Sequence, residues 1–270
     1  MNEQHRGRQT KDGIRIYDPS DFAGMHAAGA LAARILDEIA DHVFVGQTTG
    51  EIDRIIEQKV NDAGAKSATI GYKGYKHASC ISVNHVVCHG IPGDKRLKDG
   101  DILNIDVTVI VDGWFGDTSR MYVAGKVSRK AERLIQVTHD SLMRGIEVVK
   151  PGNTFGDIGH AIQSYVESHR MSVVTDFCGH GLGQVFHAPP NVLHYGRPAT
   201  GPTLEPGMFF TIEPMVNLGR AETKTLADDW TAVTRDKSLS AQFEHSVGVT
   251  EDGVEIFTLS PAGTFHPTYS

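Results

Sequence analysis

Residues 45–60, VGQTTGEIDRIIEQKV, and residues 151–170, PGNTFGDIGHAIQSYVESHR, decide how this chain is read. Laid over one another at an offset of 106 residues, Gly46 falls on Gly152, Thr48 on Thr154, Gly50 on Gly156, Ile52 on Ile158, Ile56 on Ile162 and Val60 on Val166. That is six identities in 15 positions. Each stretch reads as a helix with a threonine N-cap and one apolar face. Any capped amphipathic helix resembles another, but a shared cap, shared glycines and a shared face point to two similar halves. A cleft where two halves meet is a natural place for a site.

Outward from the first stretch, Ser20 and Asp21 offer caps for a helix to about Ala40. The second helix, over the first repeat unit, has Thr48 or Thr49 as its cap and ends near Gly64. A tyrosine- and glycine-rich run follows, GYKGYKHASC at 71–80, and then strand-like Cys80–Val83 and Val86–Cys88. Two long β-prone runs, Ile102–Val111 and Trp114–Ala124, are joined by Asp112-Gly113, a short-hairpin signal. The pattern then restarts with a helix from Ser128 to Val149. The second half closes on strand-like Val173–Cys178, Met208–Ile212, Ala241–Val249 and Val254–Leu259. Helices alternating with antiparallel hairpins give an α+β (α/β) class. The division expected is a polar arm over residues 1–13, a single domain over 14–260 with halves at about 14–125 and 126–260, and a tail over 261–270.

The composition narrows the function. Over 270 residues, 40% are hydrophobic and 22% charged, as in a folded globular protein. Lys plus Arg is 26 against 33 for Asp plus Glu, a net charge of −7, so the basic face that grips nucleic acid is not expected. Even Ile102–Val111 is interrupted by Asn104 and Asp106, and no apolar run reaches the roughly 20 residues of a bilayer span. The polar N-terminus lacks the apolar region of a secretory signal. Three cysteines, Cys80, Cys88 and Cys178, suit a reducing cytosol better than a disulfide scaffold. A cytoplasmic enzyme is expected.

Charge in the wrong place locates the chemistry. Asp106 lies inside an otherwise apolar strand, where a lone charge is costly to bury. With a two-residue turn at Asp112-Gly113, Asp106 faces Ser119 and Asp117 faces Thr108. Both carboxylates then lie on one face as diagonal neighbours, roughly 7 Å apart at the backbone. Such a pair repels unless a proton or a cation intervenes. Alone, it is as readily an exposed-face residue beside a turn residue. Glu213 ends the β-prone FFTIEP, Glu244 and His245 lie in FEHSVGV, and His180 and His187 flank the glycines of HGLGQVFH. Fourteen histidines make any one of them near a glycine unsurprising. Four misplaced carboxylates with a glycine-flanked histidine are a set that two divalent cations neutralise. Mostly oxygen donors with one imidazole suit hard-to-borderline ions rather than structural zinc. Paired metals lower the pKa of a shared water and polarise a carbonyl, the logic of amide hydrolysis. Cys-x-x-Cys, His-Glu-x-x-His, a usable Gly-x-Gly-x-x-Gly or P-loop, and Gly-x-Ser-x-Gly are all absent.

Taken in order, SVNHVVCHGIPGD, LNIDVTV, WFGDTSRMY, CGHGLG, FHAPPNVLHY, LEPGMFFTIEPM and SLSAQFEHSVGVTEDG closely resemble the type I methionine aminopeptidases, from about Ile14 to Leu259. The resemblance implies the pseudo-two-fold pita-bread fold, with a central antiparallel sheet covered by helices, in agreement with the repeat. It implies hydrolytic removal of the initiator methionine from nascent proteins and peptides with a small second residue, by a hydroxide on a dinuclear metal centre. Asp106, Asp117, His180, Glu213 and Glu244 fall on the metal ligands, with Asp117 and Glu244 bridging, Asp106 on one metal, and His180 and Glu213 on the other. Glu213 also falls on the proton shuttle, making His89, His187 and Glu213 the catalytic set. His89 and His187 would contact the substrate, and Tyr72, Tyr75, Cys80, Phe186 and Trp230 fall on the pocket for the methionine side chain. An aromatic, sulfur-containing pocket suits a thioether, although for each of these residues core packing is the plainer alternative.

Cobalt, manganese, iron or zinc all satisfy the implied donors. The implied partners are polypeptides with an N-terminal methionine and the ribosome near its exit tunnel, with no nucleic acid or membrane, and a monomer is expected. The chain departs from the family pattern at Lys73, Lys76, His85 and Ala188, which bears on the cleft's mouth and not on a ligand. Two other readings are a dinuclear aminopeptidase of different specificity, which peptide assays separate, and a non-catalytic binding protein, for which lost ligands are the expected sign.

Overall fold

The computed structural model describes residues 8–264. Residues 8–13 of the expected arm do not form a separate tail. Strand β1 (Arg8–Gln9) pairs with β2 (Arg15–Ile16) as a hairpin, and Ile14 beside it is buried in the apolar core. Helix α1 (Phe22–Ile39) follows, then α2 (Thr49–Asp62). Of the two threonines the sequence offers, Thr48 is the cap of α2, in a reciprocal box with Glu51. Strands β3 (Lys66–Ser67) and β4 (Ser79–Val83) lie end to end along one edge of the long β6 (Asp101–Val111). The other edge of β6 pairs with β7 (Trp114–Ala124) over their full length. Asp112 and Gly113 turn the hairpin with φ of 48° and 86°, the left-handed pair that a two-residue turn requires. The register puts Asp106 opposite Ser119 and Thr108 opposite Asp117, as expected.

The second half opens with α3 (Arg129–Glu147), capped by the Ser128 hydroxyl, and α4 (Phe155–Ser168), whose Thr154 cap forms a box with Asp157. Helices α2 and α4 have the same length of 14 residues. Ile52, Ile56 and Val60 are fully buried, and so are Ile158, Ile162 and Val166. The first set packs in an apolar core drawn from residues between Leu31 and Ala124, the second in a core built mainly from the later part of the chain.

A mixed set of short strands completes the fold. The five-stranded sheet runs β10 (Ala188–Val192), β9 (Gly179–Gly181), β11 (Phe209–Ile212), β16 (His245–Val249) and β17 (Val254–Ile256). Strand β12 (Met215–Asn217) lies between β8 (Ser172–Val173) and β15 (Ser240–Gln242), and β14 (Ala232–Thr234) lies between β13 (Thr223–Thr225) and β5 (Val86–Cys88).

Three strand expectations shorten. The predicted Val173–Cys178 bonds to β12 only through β8 and the Val174 amide, because β12 is three residues long. Val254–Leu259 stops at Ile256. The predicted Ala241–Val249 breaks between β15 and β16, where the Glu244 amide donates to the Ser119 carbonyl of β7 at 3.1 Å. That crossing stitches the first half's hairpin to the second half's sheet.

Candidate active site

The stitch brings the charges together. Asp117 on β7, His180 on β9 and Glu244 at the β15–β16 break each place one ligand-type atom within 4.8 Å of the others. Asp117 Oδ2 is 3.5 Å from His180 Nε2, and Glu213 Oε1, just past β11, is 3.8 Å from the same nitrogen. Asp106 joins these four on the wall of one cleft of about 860 Å³. Gly179 and Gly181 explain how His180 reaches in. A Cβ on Gly179 would strike the Thr211 carbonyl, and one on Gly181 the Pro189 carbonyl, so only glycines let β9 lie this close to its neighbours.

Neighbours fix the orientation of Asp117 and Glu213. Thr108 Oγ1 donates to Asp117 Oδ1 at 2.7 Å. Thr211 Oγ1 donates to Glu213 Oε1 at 2.8 Å and Gln242 Nε2 to Oε2 at 3.2 Å, while the Glu213 amide donates to His194 Nε2 at 3.0 Å. The sequence reading missed these supports as parts of the site, except that its hairpin register already set Thr108 against Asp117. Thr211 and Gln242 each precede a predicted ligand by two residues, the period of one strand face, and that spacing was the available signal.

Crowded carboxylates at low dielectric resist ionisation. Burial, followed by the charges of Asp117 and Glu213, pushes the Asp106 carboxyl well above the usual range. Burial and then Asp117 do the same to Glu244. Burial lifts Glu213 to about 7, with His180 pulling back and Asp117 pushing further. For His180, burial opposes the charge, but the Asp117 contact and the Glu213 charge outweigh it and raise its pKa. Asp106 Oδ1 is shut off from solvent with no hydrogen-bond partner among the described residues, a costly state for a carboxylate oxygen. A divalent cation resolves both the repulsion and the orphaned oxygen, so the residues present fit a metal.

The remaining predicted residues line the same cleft. Tyr72 stacks on His187 with centroids 5.1 Å apart, Phe186 lies 4.2 Å from His187, and His187 lies 4.1 Å from His180. Tyr75 packs on Trp230 at 4.9 Å, and His89 approaches Trp230 at 6.2 Å and Phe177 at 5.5 Å. Cys80 is buried opposite Asp106 in the β4–β6 pairing. Burial lowers the pKa of His89, and burial followed by the nearby His180 lowers that of His187 to about 4. Both rings are therefore neutral near pH 7. Of the four departures, Lys73 and Ala188 line the cleft, whereas Lys76 and His85 are not among its lining residues.

The chain belongs to metallopeptidase family M24, whose model matches residues 23–251. It is 58% identical over 257 residues to the methionine aminopeptidase of Rickettsia prowazekii (strain Madrid E), covering 95% of this chain and 99% of that protein. It is 53% identical over 248 residues to the methionine aminopeptidase of Escherichia coli (strain K12), covering 91% and 94%. The crystal structure of the Rickettsia prowazekii methionine aminopeptidase superposes with a TM-score of 0.90 over 91% of this chain and 100% of that one. The prolidase from Pyrococcus furiosus, 21% identical over 90% of this chain and 65% of its own, shares the fold alone, with a TM-score of 0.74. The fold is the pita-bread fold that the motifs imply.

Proposed function

We infer that the chain is a metal-dependent methionine aminopeptidase that hydrolyses the bond after an N-terminal methionine when the second residue is small. The observation that carries this is the meeting of Asp117, His180 and Glu244 within 4.8 Å on the wall of an aromatic cleft. Family membership and identities above 50% to named methionine aminopeptidases support it. We assign the metal ligands as Asp106, Asp117, His180, Glu213 and Glu244, holding two divalent ions of cobalt, manganese, iron or zinc. When bound, the metals supply charge neutralisation, an activated water and polarisation of the scissile carbonyl.

The chain's own residues do the rest. Glu213 has both oxygens held by neutral donors, which fixes its carboxyl for taking a proton from water and handing it to the leaving amine. Neutral His187 and His89 have ring N–H groups to offer a substrate carbonyl or amide. A free α-amino group held beside the carboxylates would confine cleavage to the first residue. Tyr72, Tyr75, Cys80, Phe186 and Trp230 receive the unbranched thioether. Sulfur–aromatic contacts favour methionine there.

The first experiment strips the protein with chelator, titrates back manganese, cobalt or iron, and follows release from Met-Ala-Ser and Leu-Ala-Ser. Metal-restored release of methionine with little leucine is expected. Equal release of both overturns the pocket assignment, and no release from folded protein overturns the enzyme reading. We further place the activity on nascent chains in the cytoplasm, by a monomer working near the ribosomal exit tunnel. The resemblance supports this part; among the described residues no helix is long and apolar enough to cross a membrane. Failure to co-sediment with translating ribosomes would remove the ribosomal contact.

A further inference from the structure

Asp53 is a buried carboxylate that the reaction does not use. It lies on α2 next to Ile52, is 5% exposed, and is not among the cleft's lining residues. Burying a carboxylate is costly unless its oxygens are satisfied, and here both are. Oδ1 accepts from the Ser79 amide at 2.9 Å and from the Ser79 hydroxyl at 2.7 Å. Oδ2 meets His77 Nδ1 at 3.1 Å. The helix thus grips the start of β4 at a residue next to Cys80.

The same grip reaches the other side of the pocket. The Tyr75 hydroxyl donates to the Ser79 carbonyl at 2.9 Å, so the amide, hydroxyl and carbonyl of Ser79 are all engaged between Asp53 and Tyr75. The His77 ring, held by Asp53, packs edge-on against Tyr75 with centroids 5.7 Å apart, and Tyr75 carries Trp230 at 4.9 Å. One carboxylate outside the cleft is thus linked, through Ser79 and His77, to three residues that line it: Tyr75, Cys80 and Trp230.

The repeat argues that this is not a requirement of the fold. At the offset of 106 residues, Asp53 falls on Gly159 of α4. There the backbone carbonyls of Leu193 and Tyr195 lie where a side chain would start. The second half packs this helix position with no side chain at all, while the first half extends a charged one to the pocket wall.

We propose that Asp53 is a positioning residue whose contacts with Ser79 and His77 fix the Tyr75–Cys80–Trp230 wall and so set the preference for methionine over a branched side chain. The proposal rests on the pocket reading above. One branch or methylene in an apolar pocket is worth about 10–200-fold in discrimination, so a small loosening of the wall is readable in that ratio.

The test measures kcat and KM for Met-Ala-Ser and Leu-Ala-Ser at saturating manganese, with a thermal melt for each variant. Asp53→Ala is expected to raise KM for the methionine peptide and lower the methionine-over-leucine ratio about tenfold, with kcat changed far less. Asp53→Asn keeps an acceptor for Ser79 and a hydrogen-bonding partner for His77, and is expected to restore most of the ratio. Ser79→Ala removes one donor and is expected to lower the ratio by a smaller factor. A merely structural role lowers the melting temperature and the amount of active enzyme but leaves KM and the ratio alone. Folded Asp53→Ala with wild-type KM and ratio overturns the proposal. If Asp53→Ala does not fold, Ser79→Ala with an unchanged ratio overturns it instead. A wild type that releases methionine and leucine alike defeats the pocket reading, and this proposal with it; a selective wild type with equally selective variants defeats this proposal alone.

Discussion

Glu213 answers two demands with one carboxyl: it is one of the assigned metal ligands, and in the metal-free chain its affinity for protons lies near neutrality. Burial raises its pKa to about 7, and His180 limits the rise. Thr211 and Gln242 hold its two oxygens, so its position does not depend on its charge. Glu213→Gln therefore removes proton transfer and one anionic metal donor together while keeping the shape. A general acid–base contributes about 10²–10⁴-fold, and kcat with saturating metal is expected to fall by that order. Because the substitution takes one charge from a crowded group of carboxylates, the melting temperature of metal-free protein is expected to hold or rise. Turnover within tenfold of wild type, measured on Met-Ala-Ser, would sink the proton-transfer role. The residue was legible in the sequence as a charge closing a β-prone run. Its supports were less so, because Gln242 reaches it from a strand that no local pattern pairs with β11. His194, fully buried beneath the Glu213 amide, looked like one of fourteen ordinary histidines.

At the scale of elements, local chemistry was a good guide wherever it was self-sufficient. The Asp112-Gly113 turn imposes its own φ values, and so the register of eleven paired positions in β6 and β7 follows from the sequence alone. The threonine caps likewise announce α2 and α4. Reading failed where an element depends on a distant partner. Val173–Cys178 has the composition of a strand, yet its bonding to β12 ends with the Val174 amide, which donates to the Met215 carbonyl at 2.9 Å, because β12 has only three residues to offer. The break before β16 was invisible for the same reason, since the amide that interrupts it bonds to Ser119, 125 residues away in sequence. The caps make a quantitative test. Thr48→Ala and Thr154→Ala each remove a reciprocal box and are each expected to cost about 1 kcal/mol in urea unfolding. The two helices bury their faces in different apolar cores, so the double variant is expected to lose the sum, as for independent sites. A double variant far less stable than the sum would mean the two helices share contacts.

For the molecule as a whole, stability is tied to the charge state of its interior from two sides. Metal that binds only the folded chain adds RT ln(1 + [L]/Kd), about 2.7 kcal/mol at a hundredfold excess over Kd. Manganese is therefore expected to raise the melting temperature of chelated protein by several degrees, and no shift would argue against the ligand assignment. The other side is the neutral histidine. His194 is fully buried, and burial lowers its pKa to about 3 from an ordinary value near 6.5. The unfolded chain thus binds a proton between pH 6.5 and 3 that the folded chain refuses, and stability must fall as pH drops through that window. One such group contributes a slope of about 1.4 kcal/mol per pH unit. His194→Gln can keep an acceptor for the Glu213 amide but has no proton to gain. In urea titrations from pH 6.5 to 4.5 on metal-free protein, the wild type is expected to lose stability more steeply than the variant by about that slope. The carboxylates near the cleft titrate in both proteins and cancel in the difference, leaving the imidazole. Parallel curves would mean that His194 accepts its proton without unfolding the chain, and that the space around it opens to water in acid.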